Sequence, residues 1–206
     1  MDKLVYIIRH GETEYNRQGI VQGGGVDSSL NATGRAQAEA FYRAYGELPF
    51  EAVLTSRLKR THETVAPFLR QGLAWEQFAE INEMSWGDHE GKKSTPSSHA
   101  EYRAVVAAWQ RGDYTAAMPR GESAAELGAR LQRFIDHLRQ RQETLLLVCA
   151  HGRTMRGLMC LLQGLPLSAM HQFEHSNTGL WLVQQQAGDF TLLKENDTLH
   201  LSQIHA

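Results

Sequence analysis

Two apolar segments of strand length, each followed at once by a histidine and a glycine, constrain the fold of this chain most strongly. Residues 4–8 run into the segment 9–11, Arg-His-Gly, and residues 145–150 run into His-Gly at 151–152. Continuous runs rich in Val, Ile and Leu are typical of strands that are covered on both faces of a parallel sheet. Ligands of open α/β sheets bind beyond the carboxyl ends of the strands. We therefore expect both histidines at one crevice.

Strand and helix signals alternate along the rest of the chain. Strands are predicted at 50–55 and 73–78, and a closing hairpin at 179–186 and 190–194. Helices are predicted after Asn31, over 57–69 and 101–110, after the capping box of Ser123 and Glu126, and through 155–162. Residues 12–27 are predicted as a Gly-rich loop and 82–98 as irregular. This order predicts an α/β fold with a single domain over 1–206. Its architecture is a three-layer α/β/α sandwich with a mostly parallel sheet and one antiparallel edge strand.

Composition indicates an ordinary globular enzyme. The net charge is −2 with His neutral, so no overall field indicates a nucleic acid or membrane partner. Cys149 and Cys160 lie in apolar segments, which predicts buried free thiols and a reducing compartment. The sequence shows no signal-peptide pattern and no apolar run of membrane-spanning length, so we expect a cytoplasmic protein.

The charged residues at the strand ends favour a phosphate site. Arg60 lies in the first turn of the helix after the 50–55 strand, so it and Arg9 both face the crevice. Guanidinium groups bind phosphate through bidentate, charge-assisted hydrogen bonds. Backbone N–H groups of Gly11 and Gly152, near helix starts, are expected to add to the anion site. A histidine there can attack phosphorus when neutral, or stabilise the phosphoryl oxygens when cationic, and neither role requires a metal or another cofactor.

The segment 9–13, Arg-His-Gly-Glu-Thr, together with Asn16, resembles the signature of the histidine phosphatase superfamily. The resemblance is to the branch that includes phosphoglycerate mutases and fructose-2,6-bisphosphatases. Further matching motifs follow in order over nearly the whole chain: Gln22-Gly23, Leu30-x-x-x-Gly34-x-x-Gln37-Ala38, Ser56-x-Leu58-x-Arg60-Thr61-x-x-Thr64, Glu83-x-x-x-Gly87-x-x-Glu90-Gly91, Gly121-Glu122-Ser123 and His151-Gly152-x-x-x-Arg156.

The resemblance implies a role for each matched residue of the site. It implies that His10 is the phosphorylated nucleophile and that Glu83 donates and accepts the proton. The phosphate pocket would consist of Arg9, Arg60 and His151. Asn16 would bind the phosphate or orient the pocket, and the Gln22-Gly23 segment would face the substrate. The implied activity is hydrolysis of a small-molecule phosphate monoester.

Other functions compete with this hypothesis. Mutases of the family carry paired arginines between the acid glutamate and the second histidine. Here Arg103, Arg111 and Arg120 are scattered, which favours a phosphatase. Phosphoserine phosphatases of the family have a histidine three residues after the glutamate, where this chain has Trp86. A phosphoglycerate mutase and a binding module without turnover stay open as alternatives. A zinc hydrolase ranks low, because no His-Glu-x-x-His pair or cysteine cluster is present.

Two further residues near the motifs have alternative interpretations. His175, which precedes the closing hairpin, is predicted mainly as a surface or capping residue with a minor chance of reaching the crevice. Arg153 either adds charge for an acidic substrate or is a solvated arginine at a helix start. The sequence makes no prediction about the oligomeric state.

Overall fold

The computed structural model describes residues 2–202 and contains a six-stranded sheet flanked by helices. The strands are β1 Lys3–Arg9, β2 Ala52–Thr55, β3 Ala74–Gln77, β4 Leu145–Ala150, β5 Leu180–Gln186 and β6 Asp189–Asp197. The α-helices are α1 Glu14–Gln18, α2 Ala32–Tyr45, α3 Lys59–Leu69, α4 Pro96–Gln110, α5 Ala124–Gln140 and α6 Gly152–Leu162. Short 3₁₀ turns cover Ala79–Ile81, Gly87–His89, Leu167–Gln172 and Leu199–Leu201.

The strand order is β3-β2-β4-β1-β5-β6. The strands β3, β2, β4 and β1 pair in parallel, whereas β5 runs antiparallel to both β1 and β6. The predicted α/β sandwich with a mostly parallel sheet is therefore confirmed. The antiparallel part is an edge hairpin of two strands, because the chain turns back at 187–188 and pairs a further strand with β5.

Each face of the sheet has its own apolar layer. One layer packs side chains of α5 and α6, such as Leu127 and Leu158, against Ile7 and Val148. The other packs α2 and α3 against the alternate strand positions, among them Ile8, Leu147 and Cys149, with Phe41 and Phe68. Successive strand residues point to opposite faces, so burial of both faces explains the unbroken apolar runs. Both cysteines are buried free thiols, as predicted.

Two segments contain more helix than the sequence predicts. The supposed loop 12–27 includes α1, whose Thr13 and Asn16 form a reciprocal capping box. The helix predicted from 101 begins at Pro96, because Thr95 and Ser98 form another such box. Both sets of signals are short and polar, so they carry no apolar periodicity. No helix within residues 2–202 combines the length and apolarity needed to cross a membrane.

Candidate active site

The structure brings the two strand-end histidines together. Arg9 lies opposite Ala150 in the parallel pair of β1 and β4, so the next residue of each strand leaves the sheet at the same edge. The ring centroids of His10 and His151 are 5.1 Å apart. Both side chains are buried, with exposed fractions of 3% and 0%.

One hydrogen bond fixes the tautomer of His10. Its Nδ1 lies 2.7 Å from the carbonyl oxygen of Gly11. Because a carbonyl oxygen only accepts, Nδ1 carries the proton and Nε2 keeps its lone pair. Burial lowers the pKa of His10 well below its usual value, and the charges of Arg60 and Arg9 act in the same direction. His10 is therefore neutral at physiological pH, with Nε2 available as a nucleophile.

The second histidine is fixed in the opposite tautomer. His151 Nδ1 accepts a hydrogen bond of 3.1 Å from Arg60 Nε, so the ring proton lies on Nε2, which donates to Ser56 Oγ at 2.7 Å. Burial lowers the pKa of His151 well below 6.5, and the charge of Arg60 lowers it further. The ring is therefore neutral in the free protein. An incoming phosphate dianion would favour the cationic form that binds phosphoryl oxygens.

The two arginines differ in how many partners they have. Arg60 also donates from Nη1 to the carbonyl oxygen of Val26 at 2.7 Å and from Nη2 to that of Gly23 at 3.3 Å, which ties the 22–27 loop to the site. Arg9 has a buried Nε without a hydrogen-bond partner within the described chain. Burial lowers the pKa of Arg9 to about 10, so it stays charged. An unpaired buried donor on a permanent cation suits an anionic ligand.

Glu83 lies at the start of α6. Its Oε1 accepts hydrogen bonds from the backbone N–H of Met84 and from the N–H and hydroxyl of Thr154, at 2.9–3.1 Å. Its Oε2 accepts one, from the Arg153 N–H at 3.1 Å. His151, the N-cap residue of α6, makes no hydrogen bond with its side chain to the start of the helix. Glu83, from a segment distant in the sequence, accepts the first N–H groups of α6 instead. Oε2 keeps a free lone pair for proton transfer.

Two of the other residues expected to bind phosphate, Gly11 and Asn16, already form hydrogen bonds within the chain. The Gly11 N–H donates to Thr64 Oγ1 at 2.9 Å, so the expectation that it is free for an anion is wrong. Gly152 is the first residue of α6, as expected. Asn16 uses its Oδ1 in the capping box with Thr13.

The Gln22-Gly23 segment, which is predicted to face the substrate, contacts Thr13 on one side and Glu90 on the other. Gln22 Nε2 donates to Thr13 Oγ1 at 2.6 Å. Gly23 lies so close to Glu90 that a Cβ at this position would be 2.0 Å from the Glu90 Oε1. The Glu90 carboxylate accepts the N–H groups of Gly25 and Trp86 at 2.8 and 2.7 Å, so it joins this loop to the segment after Glu83.

Two polar residues of the site have no role predicted from the sequence, which places Ser56 only in a matching motif and gives the crevice only as an alternative for His175. His175 packs against Gly152, and its pKa is lowered to about 3 by burial and by Arg9, Arg156 and Arg153. Ser56 holds the ring of His151. The sequence signals for these two positions are a serine at the end of β2 and a histidine before the closing hairpin. Similar residues occur throughout the chain, so these signals do not assign a role.

Taken together, the site is a buried anion pocket with a nucleophile. Within residues 2–202 no group of three or more metal-ligating side chains is found. Positive charge comes from Arg9 and Arg60, and Arg156 lies near enough to lower the pKa of Arg9. Glu83 is the carboxylate that most raises the pKa of both Arg9 and Arg60. Such an arrangement can bind a phosphoryl group, attack it with His10 Nε2 and exchange a proton through Glu83.

Comparison with known proteins gives the same family along nearly the full length. A family model described as "Histidine phosphatase superfamily (branch 1)" matches residues 5–198. A 2,3-bisphosphoglycerate-dependent phosphoglycerate mutase of Bartonella henselae is 32% identical over 202 residues, which cover 93% of this chain and 96% of the mutase. A provisionally named phosphoserine phosphatase 2 of Hydrogenobacter thermophilus is 27% identical over 205 residues, with 98% and 99% covered.

A solved structure agrees with these relatives. The alpha-ribazole phosphatase from Shigella flexneri superposes with a TM-score of 0.82 at 28% identity, over 94% of this chain and 96% of that one. Both the sequence family and the fold are thus shared with phosphatases over almost all of the chain. The chain belongs to branch 1 of the histidine phosphatase superfamily and is an enzyme of the phosphoric monoester hydrolase type.

Proposed function

We propose that this enzyme hydrolyses small-molecule phosphate monoesters without a metal ion, through a phosphohistidine on His10. The observation that carries the proposal is the hydrogen bond from His10 Nδ1 to the Gly11 carbonyl, which leaves the Nε2 lone pair free in a pocket of guanidinium groups. In the first step Nε2 attacks phosphorus and the ester P–O bond breaks. The oxygen of the departing alcohol takes a proton from Glu83.

Water completes the reaction in a second step. Glu83, now a carboxylate, accepts a proton from water as the water oxygen attacks phosphorus. The P–N bond breaks, inorganic phosphate leaves and His10 returns to its neutral form. We assign the transferred proton to Glu83 Oε2, because this oxygen accepts only the Arg153 N–H whereas Oε1 accepts the N–H groups of Met84 and Thr154.

Electrostatic stabilisation comes from side chains. Arg9 and Arg60 would bind the non-bridging oxygens as charge redistributes. His151 would join them once its Nδ1 exchanges the hydrogen bond from Arg60 Nε for a proton that the phosphate dianion stabilises. Arg9 offers its unpaired Nε, and Arg60 offers the N–H groups that the loop carbonyls leave free. With this charge in place, a divalent ion is redundant.

Phosphoryl transfer between hydroxyls, as in the mutase relatives, is the second candidate because a mutase is 32% identical to this chain. The arginines between Glu83 and His151 favour hydrolysis. Arg103, Arg111 and Arg120 are not adjacent in the sequence, and Arg130 is bound by Glu122, so these residues form no arginine pair for a second acidic group of the substrate.

The central test is the variant His10→Ala. With a phosphate monoester panel it should release no phosphate above background, and a brief incubation should trap no acid-labile phosphoprotein. His171→Ala, at an exposed histidine outside the pocket, is the matched control and should keep both. Turnover by His10→Ala at a substantial fraction of the wild-type rate would refute the phosphohistidine mechanism. Isomerisation of a phosphoglycerate faster than release of phosphate would identify a mutase.

Metal independence is tested on the same wild-type preparation. Exhaustive chelation should leave the rate of phosphate release unchanged, because the arginines supply the positive charge. Loss of activity that zinc or magnesium restores would support a metal hydrolase and contradict this part of the proposal.

A further inference from the structure

An apolar cavity lies on the Glu83 side of the catalytic residues. Its walls are Val21, Trp86, Tyr102 and Met118, and its volume is about 270 Å³, near the lower end of the ~300–1,000 Å³ range typical of ligand pockets. Trp86 and Met118 are buried in the larger core layer. The two rings of Trp86 and Tyr102 meet edge to face, with centroids 5.5 Å apart. The walls are therefore fixed by the fold.

Two hydrogen-bonded connections link this cavity to the catalytic residues. Gln22 lines the cavity and donates to Thr13, directly beside the strand-end segment. On the opposite side, the Tyr102 hydroxyl accepts a hydrogen bond from Arg153, whose backbone N–H donates to Glu83 Oε2. The leaving alcohol of a phosphate ester must lie on the side of its proton donor. The cavity is in the place where that alcohol would extend.

The cations near the cavity are not part of its walls. The guanidinium of Arg153 lies 5.8 Å from the Trp86 ring centroid and 5.7 Å from that of Tyr102, and it does not line the cavity. It is also 9% exposed and occupied by the Tyr102 hydroxyl. No Asp, Glu, Lys or Arg of the described chain lines the space. A carboxylate or second phosphate held against these apolar walls would lose hydration without a charged partner in the wall, which disfavours it relative to an uncharged ring. The nearest lysines, Lys92 and Lys93, line the adjoining surface depression instead.

We propose that this cavity selects phosphate monoesters whose alcohol part carries a flat, uncharged aromatic or heteroaromatic ring. Aromatic walls bind such a ring through burial and edge-to-face contacts. Serine and histidine side chains at the rim, Ser94 and His99 among them, can donate to ring heteroatoms. The inference rests on the proposed phosphatase function and adds its substrate class.

The test compares esters whose alcohols have similar acidity. The wild-type kcat/KM should be about 10- to 100-fold higher for benzyl phosphate than for ethyl phosphate, as expected for burial of one ring. A carboxylate on the ring, in 4-carboxybenzyl phosphate, should remove most of this advantage. Equal kcat/KM for benzyl and ethyl phosphate would overturn the substrate class while leaving the phosphatase function intact. No hydrolysis of any ester would refute the proposed function itself.

Exposed positions allow variants that do not disturb the core. Ser94→Trp should fill the cavity and lower kcat/KM for benzyl phosphate about 10-fold, with little change for ethyl phosphate. Ser97→Trp, which places the same side chain outside this cavity, is the control and should change neither. Equal losses on both esters in Ser94→Trp would contradict the assignment.

A change of charge at the rim gives a second measurement. His99→Lys should raise the ratio of kcat/KM for 4-carboxybenzyl over benzyl phosphate by about 2- to 5-fold, the effect of one exposed ion pair. His171→Lys, an exposed histidine outside the cavity lining, should leave the ratio unchanged. An unchanged ratio in His99→Lys would show that the ring does not reach this rim.

Discussion

In the proposed mechanism the carboxyl group of Glu83 has two functions that a single substitution can separate. As the proton donor it matters most for an alcohol that leaves poorly, because the proton must arrive while the P–O bond breaks. As a hydrogen-bond acceptor it holds the first N–H groups of α6, a task that a neutral amide oxygen can partly fulfil. Substitution by glutamine keeps shape and one acceptor but removes the transferable proton.

We predict that Glu83→Gln slows hydrolysis of an alkyl phosphate by about 10²–10⁴-fold, the usual range for general acid catalysis. Formation of the phosphoenzyme from a nitrophenyl phosphate should slow much less, because that leaving group is already stabilised as an anion. Single-turnover measurements isolate this step from the later attack of water. Thr154→Val is the control, since it removes a hydroxyl donor to Glu83 and leaves the carboxyl group in place.

Equal losses on the two esters in Glu83→Gln would show that Glu83 positions the pocket or activates water only. Unchanged rates on both would assign proton transfer to another carboxylate near the substrate, and Glu12 and Glu90 would be tested next. Either result is compatible with the proposed attack by His10, because its lone pair depends on the Gly11 carbonyl and not on Glu83.

At the level of elements, the N-terminus of α6 is assembled from three separate parts of the chain. The helix begins at Gly152, the carboxylate of Glu83 accepts its first N–H groups, and the ring of His175 covers its first residue. A Cβ on Gly152 would lie 2.6 Å from Cε1 and 2.8 Å from Nε2 of His175, closer than real contacts allow. Glycine at 152 is thus needed because His175 is there.

A double-mutant cycle tests this contact. Gly152→Ala should lower the free energy of unfolding by about 1–3 kcal/mol through overpacking. In a His175→Ala background the same change should be neutral or stabilise by up to about 1 kcal/mol, because alanine is the better helix former. Urea unfolding of the four proteins gives the coupling energy. Additive effects would mean that the two residues do not contact each other in solution.

The sequence predicts the strands and the larger helices well because their signals are local. The runs at 4–8 and 145–150 are apolar, and the N-cap residue Asn31 and the capping box at Ser123 mark where α2 and α5 begin. The pairing of β1 with β4 is not local. It was nevertheless inferred, because parallel strands that end in similar polar motifs present them at one edge of the sheet.

The finer arrangement of the site could not be read from the sequence. The free N–H expected at Gly11 is taken by Thr64, which lies in a different helix. The contact of Glu83 with α6 joins residues 70 and 71 positions apart, and no motif encodes it. The protonation of His151 depends on its burial beside Arg60, which only the packed structure reveals.

For the whole molecule, burying several neutral histidines makes stability depend on pH. Burial lowers the pKa of His10 and His151 well below 6.5 and that of His175 to about 3, and it also lowers the pKa of His200. In the unfolded chain these groups return to a pKa near ~6.5. Below that pH the unfolded state binds protons that the folded state does not, so acid favours unfolding.

We therefore predict that the free energy of unfolding falls as the pH is lowered from 6.5 toward 5. With three strongly shifted histidines, the slope should approach about 4 kcal/mol per pH unit once the unfolded chain is fully protonated. The pH range from 6.5 to 5 lies above the pKa values of exposed carboxylates such as Glu51 and Glu126, which hydrogen bonds lower further. Protonation of these carboxylates therefore contributes little to the slope in this range. Urea titrations at pH 7.5, 6.5 and 5.5 would measure the slope directly.

Removing one of these histidines should reduce the slope by about a third, since each binds about one proton on unfolding. His175→Ala is the informative variant because it leaves His10 and His151 in place, and His171→Ala, at an exposed position, is its control.

Inorganic phosphate should raise the free energy of unfolding at every pH, because it binds only the folded pocket. A free energy of unfolding that stays constant between pH 7.5 and 5.5 would mean that these histidines titrate in the native enzyme as they do in the unfolded chain. In that case burial would not keep His10 neutral in mild acid.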